Sequence, residues 1–279
     1  MKNIVNVDWL YENLENPNVI VIDCRFELGN PGHGLNLYIK EHISGAFYFD
    51  LEKDLSKRVE EHGGRHPMPE LDRIIDKLGA AGIDANSKVV AYDDQGGMIA
   101  SRFWWLLKYV GHDEVYILDG GFSKWVRKGY PITDDIPSVP RKQFQANIQQ
   151  ELLSNVDEVK QFVETKKGYL LDSRIEERYI GQNETIDKKA GHIPGALNYF
   201  WEDCLNEKNE WKSEEELKER FERFNKNDQI IVYCGSGVSA CPNIIALDEL
   251  GFTNVKLYMG SWSDWITYEE HPIAIGLEE

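Results

Sequence analysis

Cysteine is scarce in this chain and poorly placed for pairing. The four thiols, Cys24, Cys204, Cys234 and Cys241, form no C-x-x-C couple and fall far short of the density of a disulfide-stapled scaffold. They read as free thiols, and that spacing also argues against metal ligation. Long apolar runs are absent as well: none approaches the roughly 20 residues needed to span a bilayer. The first residues carry Asp8 and Glu12 where a secretory leader needs an apolar stretch, so a cytoplasmic location is the expectation. Basic residues are in deficit, with 31 Lys and Arg against 48 Asp and Glu for a net charge of −17. Neither nucleic acid nor a membrane surface is an expected partner, since both need concentrated positive charge. Any anionic substrate has to be gripped by a local basic site.

What is present is a long core-forming chain that says most things twice. At 279 residues and 42% hydrophobic content, length alone suggests about two domains. Asn6-Val7-Asp8 returns 149 residues on as Asn155-Val156-Asp157, and within the run 19–25 residues 20–25 return at the same spacing as 169–174. His42-Ile43-Ser44-Gly45-Ala46 returns as His192-Ile193-Pro194-Gly195-Ala196, and Gly120-Gly121-Phe122 as Gly260-Ser261-Trp262. The run Val89-Val90-Ala91-Tyr92-Asp93 returns as Ile230-Ile231-Val232-Tyr233-Cys234, so the position that is cysteine in the second copy is Asp93 in the first. Pro131, Pro137 and Pro140 among polar residues mark a linker, which places the domains at 1–138 and 151–279 with 139–150 between them.

Within each copy, short β-branched runs alternate with segments of helical period, the pattern of an α/β domain with a mostly parallel sheet flanked by helices. Ser213 with Glu216 forms a capping box ahead of Leu217, Phe221 and Phe224, an apolar stripe at helical spacing. A strand over 230–233 follows, then a helix carrying Ile244, Ile245, Leu247 and Leu250 that Gly251 ends, then a strand over 255–258.

The reactive feature is Cys234-Gly235-Ser236-Gly237-Val238-Ser239-Ala240. It puts a thiol where an apolar strand ends and a helix begins, in a loop with two glycines and no acidic residue. Backbone N–H groups can turn toward the sulfur there, and the helix adds the positive end of its dipole. Three chemistries use such a cradle. A cysteine phosphatase needs C-x5-R, and the sixth residue after Cys234 is Ala240. A thiol oxidoreductase wants C-x-x-C, and the nearest thiol, Cys241, lies inside the following helix, where it could still resolve an oxidised Cys234. Sulfur transfer needs the cradle, to hold a persulfide anion, but no arginine inside it.

These residues resemble the two-domain rhodanese-like sulfurtransferases. The resemblance spans nearly the whole chain and rests on Asp172-Ser173-Arg174 with Arg178 beyond, Gly191-His192-Ile193-Pro194-Gly195-Ala196, the Cys234 loop, and Gly260-Ser261-Trp262. It implies two tandem rhodanese-like domains, with a first that is non-catalytic because Asp93 replaces the thiol and a second that is catalytic. It implies Cys234 as nucleophile and persulfide carrier, with a small anionic sulfur donor bound in the interdomain cleft. The loop amides at Gly235, Gly237, Val238, Ser239 and Ala240 would stabilise the sulfur anion, with no cofactor and no metal required. Thiosulfate enzymes of the family read C-R-K-G and mercaptopyruvate enzymes C-G-S-G; the serine hydroxyl of Ser236 suits a carboxylate or keto oxygen. The loop is therefore of the 3-mercaptopyruvate type.

Arg178 falls at the family's substrate-gripping arginine. For the second arginine, the segment 182–190 supplies only Lys188 and Lys189. His66, in Arg65-His66-Pro67-Met68-Pro69, matches a histidine of the first domain that reaches the catalytic loop, with Asp54 as its candidate acidic partner. It could shuttle a proton to the departing pyruvate enolate. The sulfur acceptor is then a thiol, cyanide or reduced thioredoxin. A thiosulfate:cyanide enzyme and a non-catalytic anion- or sulfide-binding module stay open as alternatives. Cys24, Cys204, the tryptophans and the equivalent pair His42 and His192 are expected to serve packing and turns.

Overall fold

The computed structural model describes residues 1–278, and the chain divides into two compact units. One comprises Met1–Lys57, Pro69–Gln149 and Glu207–Trp211; the other comprises Arg58–Met68, Gln150–Asn206 and the chain from Lys212 onward. Each unit thus borrows a short segment from the opposite half of the sequence, a feature that the repeat alone does not reveal.

The first unit is built on strands β1 (Ile4–Val5), β2 (Val19–Asp23), β3 (Phe47–Tyr48), β4 (Lys88–Tyr92) and β5 (Val115–Leu118), all parallel, in the order β1-β5-β4-β2-β3. The second repeats it with β6 (Leu153–Ser154), β7 (Tyr169–Asp172), β8 (Leu197–Asn198), β9 (Ile230–Tyr233) and β10 (Val255–Tyr258) in the order β6-β10-β9-β7-β8. The inner strands are buried on both faces, which is why Val19-Ile20-Val21-Ile22 and Ile230-Ile231-Val232-Tyr233 read as unbroken apolar runs rather than alternating ones. In both sheets the strand order reverses at the central strand, β4 or β9, and open α/β sheets place their ligands at the carboxyl end of such a strand.

The repeat extends to single hydrogen bonds. Asp23 takes the Arg25 amide and guanidinium, and Asp172 does the same for Arg174. These carboxylates end β2 and β7, because the following backbone turns to meet its own side chain. The Arg25 guanidinium reaches the Glu41 carbonyl, and that of Arg174 the Gly191 carbonyl. The Tyr92 hydroxyl accepts the Ile43 amide and the Tyr233 hydroxyl the Ile193 amide, each at 3.2 Å. His42 and His192 stack on Tyr38 and Tyr179 and engage their carbonyls at 2.7 and 2.8 Å. Trp125 and Trp265 are buried and donate to the Pro131 and Pro272 carbonyls at 2.9 Å. Each tryptophan anchors its unit's core, and truncating either to alanine would cost about 3–5 kcal/mol.

The capping box of Ser213 and Glu216 forms as expected, but its helix stops at Arg220. Phe221 and Phe224 are buried from the turn that follows rather than from a continuous helical face. No helix of the described residues is long and apolar enough to cross a membrane.

Candidate active site

Cys234 follows β9 directly and is 1% exposed. Its amide donates to Ser261 Oγ at 3.1 Å, while its carbonyl and that of Gly235 accept the Trp262 and Ser263 amides at 3.0 and 2.9 Å. The loop is thereby pinned to the turn after β10. The Gly237 N–H then donates to Cys234 Sγ at 3.2 Å. Gly237 sits at φ +73°, where a Cβ would lie 2.3 Å from the Met259 carbonyl oxygen, so only glycine brings that amide onto the sulfur. The helix that follows begins at Cys241, with Pro242 in its first turn, not at the cysteine. Its dipole therefore acts on Cys234 only through the intervening loop, and the Cys241 thiol points to the Gly237 carbonyl at 3.5 Å.

The first unit shows what such a loop does with an anion. The Asp93 carboxylate occupies the cysteine's place after β4 and is fully buried. Its Oδ1 accepts the amides of Gln95 and Gly97, both at 2.8 Å, and its Oδ2 those of Ile99 and Ala100 at 2.7 and 3.0 Å. Burial pushes its carboxyl upward, and the Ala100, Gln95 and Gly97 amides oppose that push. The loop of the first copy holds a fixed carboxylate, and in the second copy the Cys234 sulfur takes the equivalent place.

Residues 58–68 carry the second group of polar residues onto the same unit. The Gly63 amide donates to Asp264 at 2.7 Å, the Arg65 amide to Ser263 Oγ at 3.1 Å, and the His62 ring stacks on Tyr268 at 4.2 Å. That anchoring sets buried His66 with Nδ1 2.8 Å from Ser236 Oγ. Asp54, in the other unit, takes the Asp50 amide at 2.8 Å and pairs with Lys77.

Two guanidinium groups lie over the loop. A Cβ added to Gly235 would meet Arg65 Nη2 at 2.9 Å and Arg178 Nη2 and Nη1 at 3.4 and 3.5 Å. The sequence places Arg178 here; Arg65, which precedes His66, is the group that sequence reasoning misses. Lys188 and Lys189 are exposed. The segment 182–190 is instead organised by Glu184, which takes Arg178 Nε at 3.0 Å and the Ile186 and Asp187 amides at 2.9 Å. Buried Trp262 donates to the Lys189 carbonyl at 2.9 Å and so ties that segment to the loop after β10. Val238, Ser239 and Ala240 complete the buried turn into the helix, with the Val238 carbonyl accepting the Cys241 amide at 3.0 Å. All four cysteines are free and buried. Desolvation raises the Cys24 thiol and pushes that of Cys204 up to about 11, which leaves both protonated at neutral pH. Among the described residues no group of three or more His, Cys, Asp or Glu is placed to hold a metal.

Comparison with known proteins agrees with this geometry. The rhodanese-like domain matches residues 6–128 and again 155–268. Over 98% of both chains, the sequence is 39% identical to a probable 3-mercaptopyruvate sulfurtransferase of Pseudomonas aeruginosa. It is 32% identical to the thiosulfate sulfurtransferase of Bos taurus, over 94% of this chain and 91% of that one. The crystal structure of SseA from Escherichia coli, described as a 3-mercaptopyruvate sulfotransferase, superposes with a TM-score of 0.83 at 31% identity, covering 94% of this chain and all of that one. The chain belongs to the rhodanese family and carries two copies of its fold.

Proposed function

We propose that this protein is a sulfurtransferase that takes sulfur from 3-mercaptopyruvate, carries it as a persulfide on Cys234 and hands it to a thiol such as reduced thioredoxin, or to cyanide. The observation that carries the reading is the cradle: the Gly237 amide closes on Cys234 Sγ in a loop whose counterpart encloses the Asp93 carboxylate. A cradle that accommodates a fixed anion without a basic side chain inside it suits a persulfide anion.

In the first half-reaction the Cys234 thiolate attacks the sulfur of 3-mercaptopyruvate, forming an S–S bond. The C–S bond breaks, its electron pair passes to the pyruvate enolate, and the proton that began on the sulfur donor's thiol ends on the enolate carbon. His66, hydrogen-bonded to Ser236 at 2.8 Å, is the group positioned to move that proton, with Ser236 Oγ as the contact to the keto oxygen. The carboxylate of the sulfur donor meets Arg178. In the second half-reaction an acceptor thiolate or cyanide attacks the outer sulfur, and Cys234 leaves as thiolate. The amides of Gly235, Gly237, Val238, Ser239 and Ala240 hold the sulfur anion between the two halves. Four free thiols and an acidic surface charge suit a cytoplasmic protein with no nucleic-acid or membrane partner.

Intact-mass measurement after incubation with 3-mercaptopyruvate, without acceptor, should show the chain heavier by one sulfur atom, and Cys234→Ser should show no gain. Turnover by Cys234→Ser would overturn the mechanism. Comparing kcat/KM for the two candidate sulfur donors tests the substrate, and a clear thiosulfate preference would overturn the choice of 3-mercaptopyruvate.

A further inference from the structure

Asp187 is a carboxylate held where a substrate carboxylate is expected. Its Oδ2 accepts from Arg178 Nη2 at 2.8 Å, its Oδ1 pairs with Arg65 Nη1, and its side chain is only 3% exposed. The two guanidiniums it bridges are the pair that hangs over Gly235, next to Cys234. Arg65 also keeps a buried Nε–H with no hydrogen-bond partner, so Asp187 does not exhaust the fork. Charge in the cluster balances only with Asp187 included. Asp172 takes Arg174, Glu184 is shared by Arg174 and Arg178, and Asp187 is shared by Arg178 and Arg65. Remove Asp187 and one positive charge is left facing the thiol loop.

We propose that Arg65 and Arg178 together form the anion clamp for the sulfur donor, and that Asp187 closes this clamp as an internal carboxylate that the incoming donor displaces. Arg65 thereby supplies the second cation that the segment 182–190, with its exposed Lys188 and Lys189, does not. The internal ligand is planar and gives one oxygen to each guanidinium, so the clamp is spaced for a bridging carboxylate. Desolvation also draws the Arg65 guanidinium down from its usual range, which Asp187 and the Cys234 sulfur partly offset. That pattern fits a cation made for an exchangeable anion.

The inference rests on the proposed function for the identity of the sulfur donor, but its test need not depend on turnover. Pyruvate, the product carboxylate, can be titrated calorimetrically into the whole wild-type protein and its variants. Arg65→Ala should weaken pyruvate binding by about 10- to 100-fold, the loss expected for one charge-assisted contact. Asp187→Asn, which removes the competing charge, should tighten it several-fold, and Asp187→Ala should do the same even if asparagine keeps part of the bridge. Unchanged binding in Arg65→Ala would overturn the clamp. Weaker binding in both Asp187 variants, with unaltered thermal midpoints, would overturn displacement and make Asp187 a positioning residue. If neither 3-mercaptopyruvate nor thiosulfate is turned over while these shifts appear, the catalytic reading fails and the clamp stands.

Discussion

Asp93 and Cys234 stand at the same point of two copies of one sheet, each the first residue after the central strand, and each with its side chain accepting from the loop backbone. The difference is what the loop can release. Asp93 is bound by four N–H groups and is completely enclosed, whereas Cys234 Sγ accepts the Gly237 amide and has two guanidiniums and a histidine–serine pair beside its loop. In the first copy the position is filled by a fixed carboxylate; under the proposed function the second copy keeps it for chemistry.

Removing that carboxylate should be costly. Asp93→Ala leaves three buried N–H groups and the part-buried one of Gln95 without acceptors, and each buried orphan costs about 1–3 kcal/mol before relaxation. We expect a loss of at least about 3 kcal/mol, read as a lower urea midpoint. Asparagine should rescue only part of it, since its amide nitrogen would face N–H donors. An unchanged midpoint for Asp93→Ala would refute the closed cradle.

Gly237 can be tested against a control already in the chain. Gly129 has almost the same backbone, φ +72° against +73°, but a Cβ there meets nothing within 4 Å. Gly129→Ala should therefore show only the backbone strain of about 1 kcal/mol. Gly237→Ala adds a collision with the Met259 carbonyl oxygen and moves the amide off Cys234 Sγ. It should be clearly less stable than the control and should lose sulfur transfer by at least about 10²-fold. Equal behaviour of the two variants would show that the Gly237 amide is not needed.

Much of this is legible in the amino-acid sequence. The apolar runs that form β4 and β9, the Ser213–Glu216 capping box, Cys234 and its glycines are all local signals, and local signals survive in sequence. What was hidden depends on where a segment without periodicity docks. The stretch 58–68 lies in the first half of the chain yet packs with the second unit, so Arg65 gave no sign of reaching Gly235. Asp187 sits in a turn whose shape is set by Glu184 accepting two amides, an arrangement that no spacing rule announces. The helix after the loop starts only at Cys241, because Gly237 at positive φ cannot be helical and Pro242 suits a first turn.

The His66–Ser236 pair makes a prediction that depends on the sulfur donor. Pyruvate leaves as an enolate that needs a proton, whereas the sulfite released from thiosulfate is already a stable anion. Ser236→Ala and His66→Gln should each lower kcat with 3-mercaptopyruvate by about 10²-fold, and the double variant should lose little more, because the 2.8 Å contact makes them one unit. With thiosulfate the loss should be under about tenfold. Equal losses with both sulfur donors would remove the proton-transfer role.

Stability should fall on the acid side through His112. This ring is 4% exposed, and burial pulls its pKa below the ordinary 6.5 despite hydrogen bonds involving the backbone at Ser87 and Glu114. The folded state therefore prefers neutral imidazole. Above 6.5 the ring is neutral in both states and the full stability is present. As pH drops below that value the unfolded chain gains a proton that the folded one refuses, and stability declines by up to about 1.4 kcal/mol per pH unit until the depressed folded value is reached. Urea unfolding of wild type and His112→Gln across pH 7.5 to 5 isolates this contribution, because every other titrating group is common to both proteins. The difference between the two curves should be flat above about pH 7 and slope toward the variant below it. A flat difference over the whole range would mean that His112 binds its proton as readily folded as unfolded.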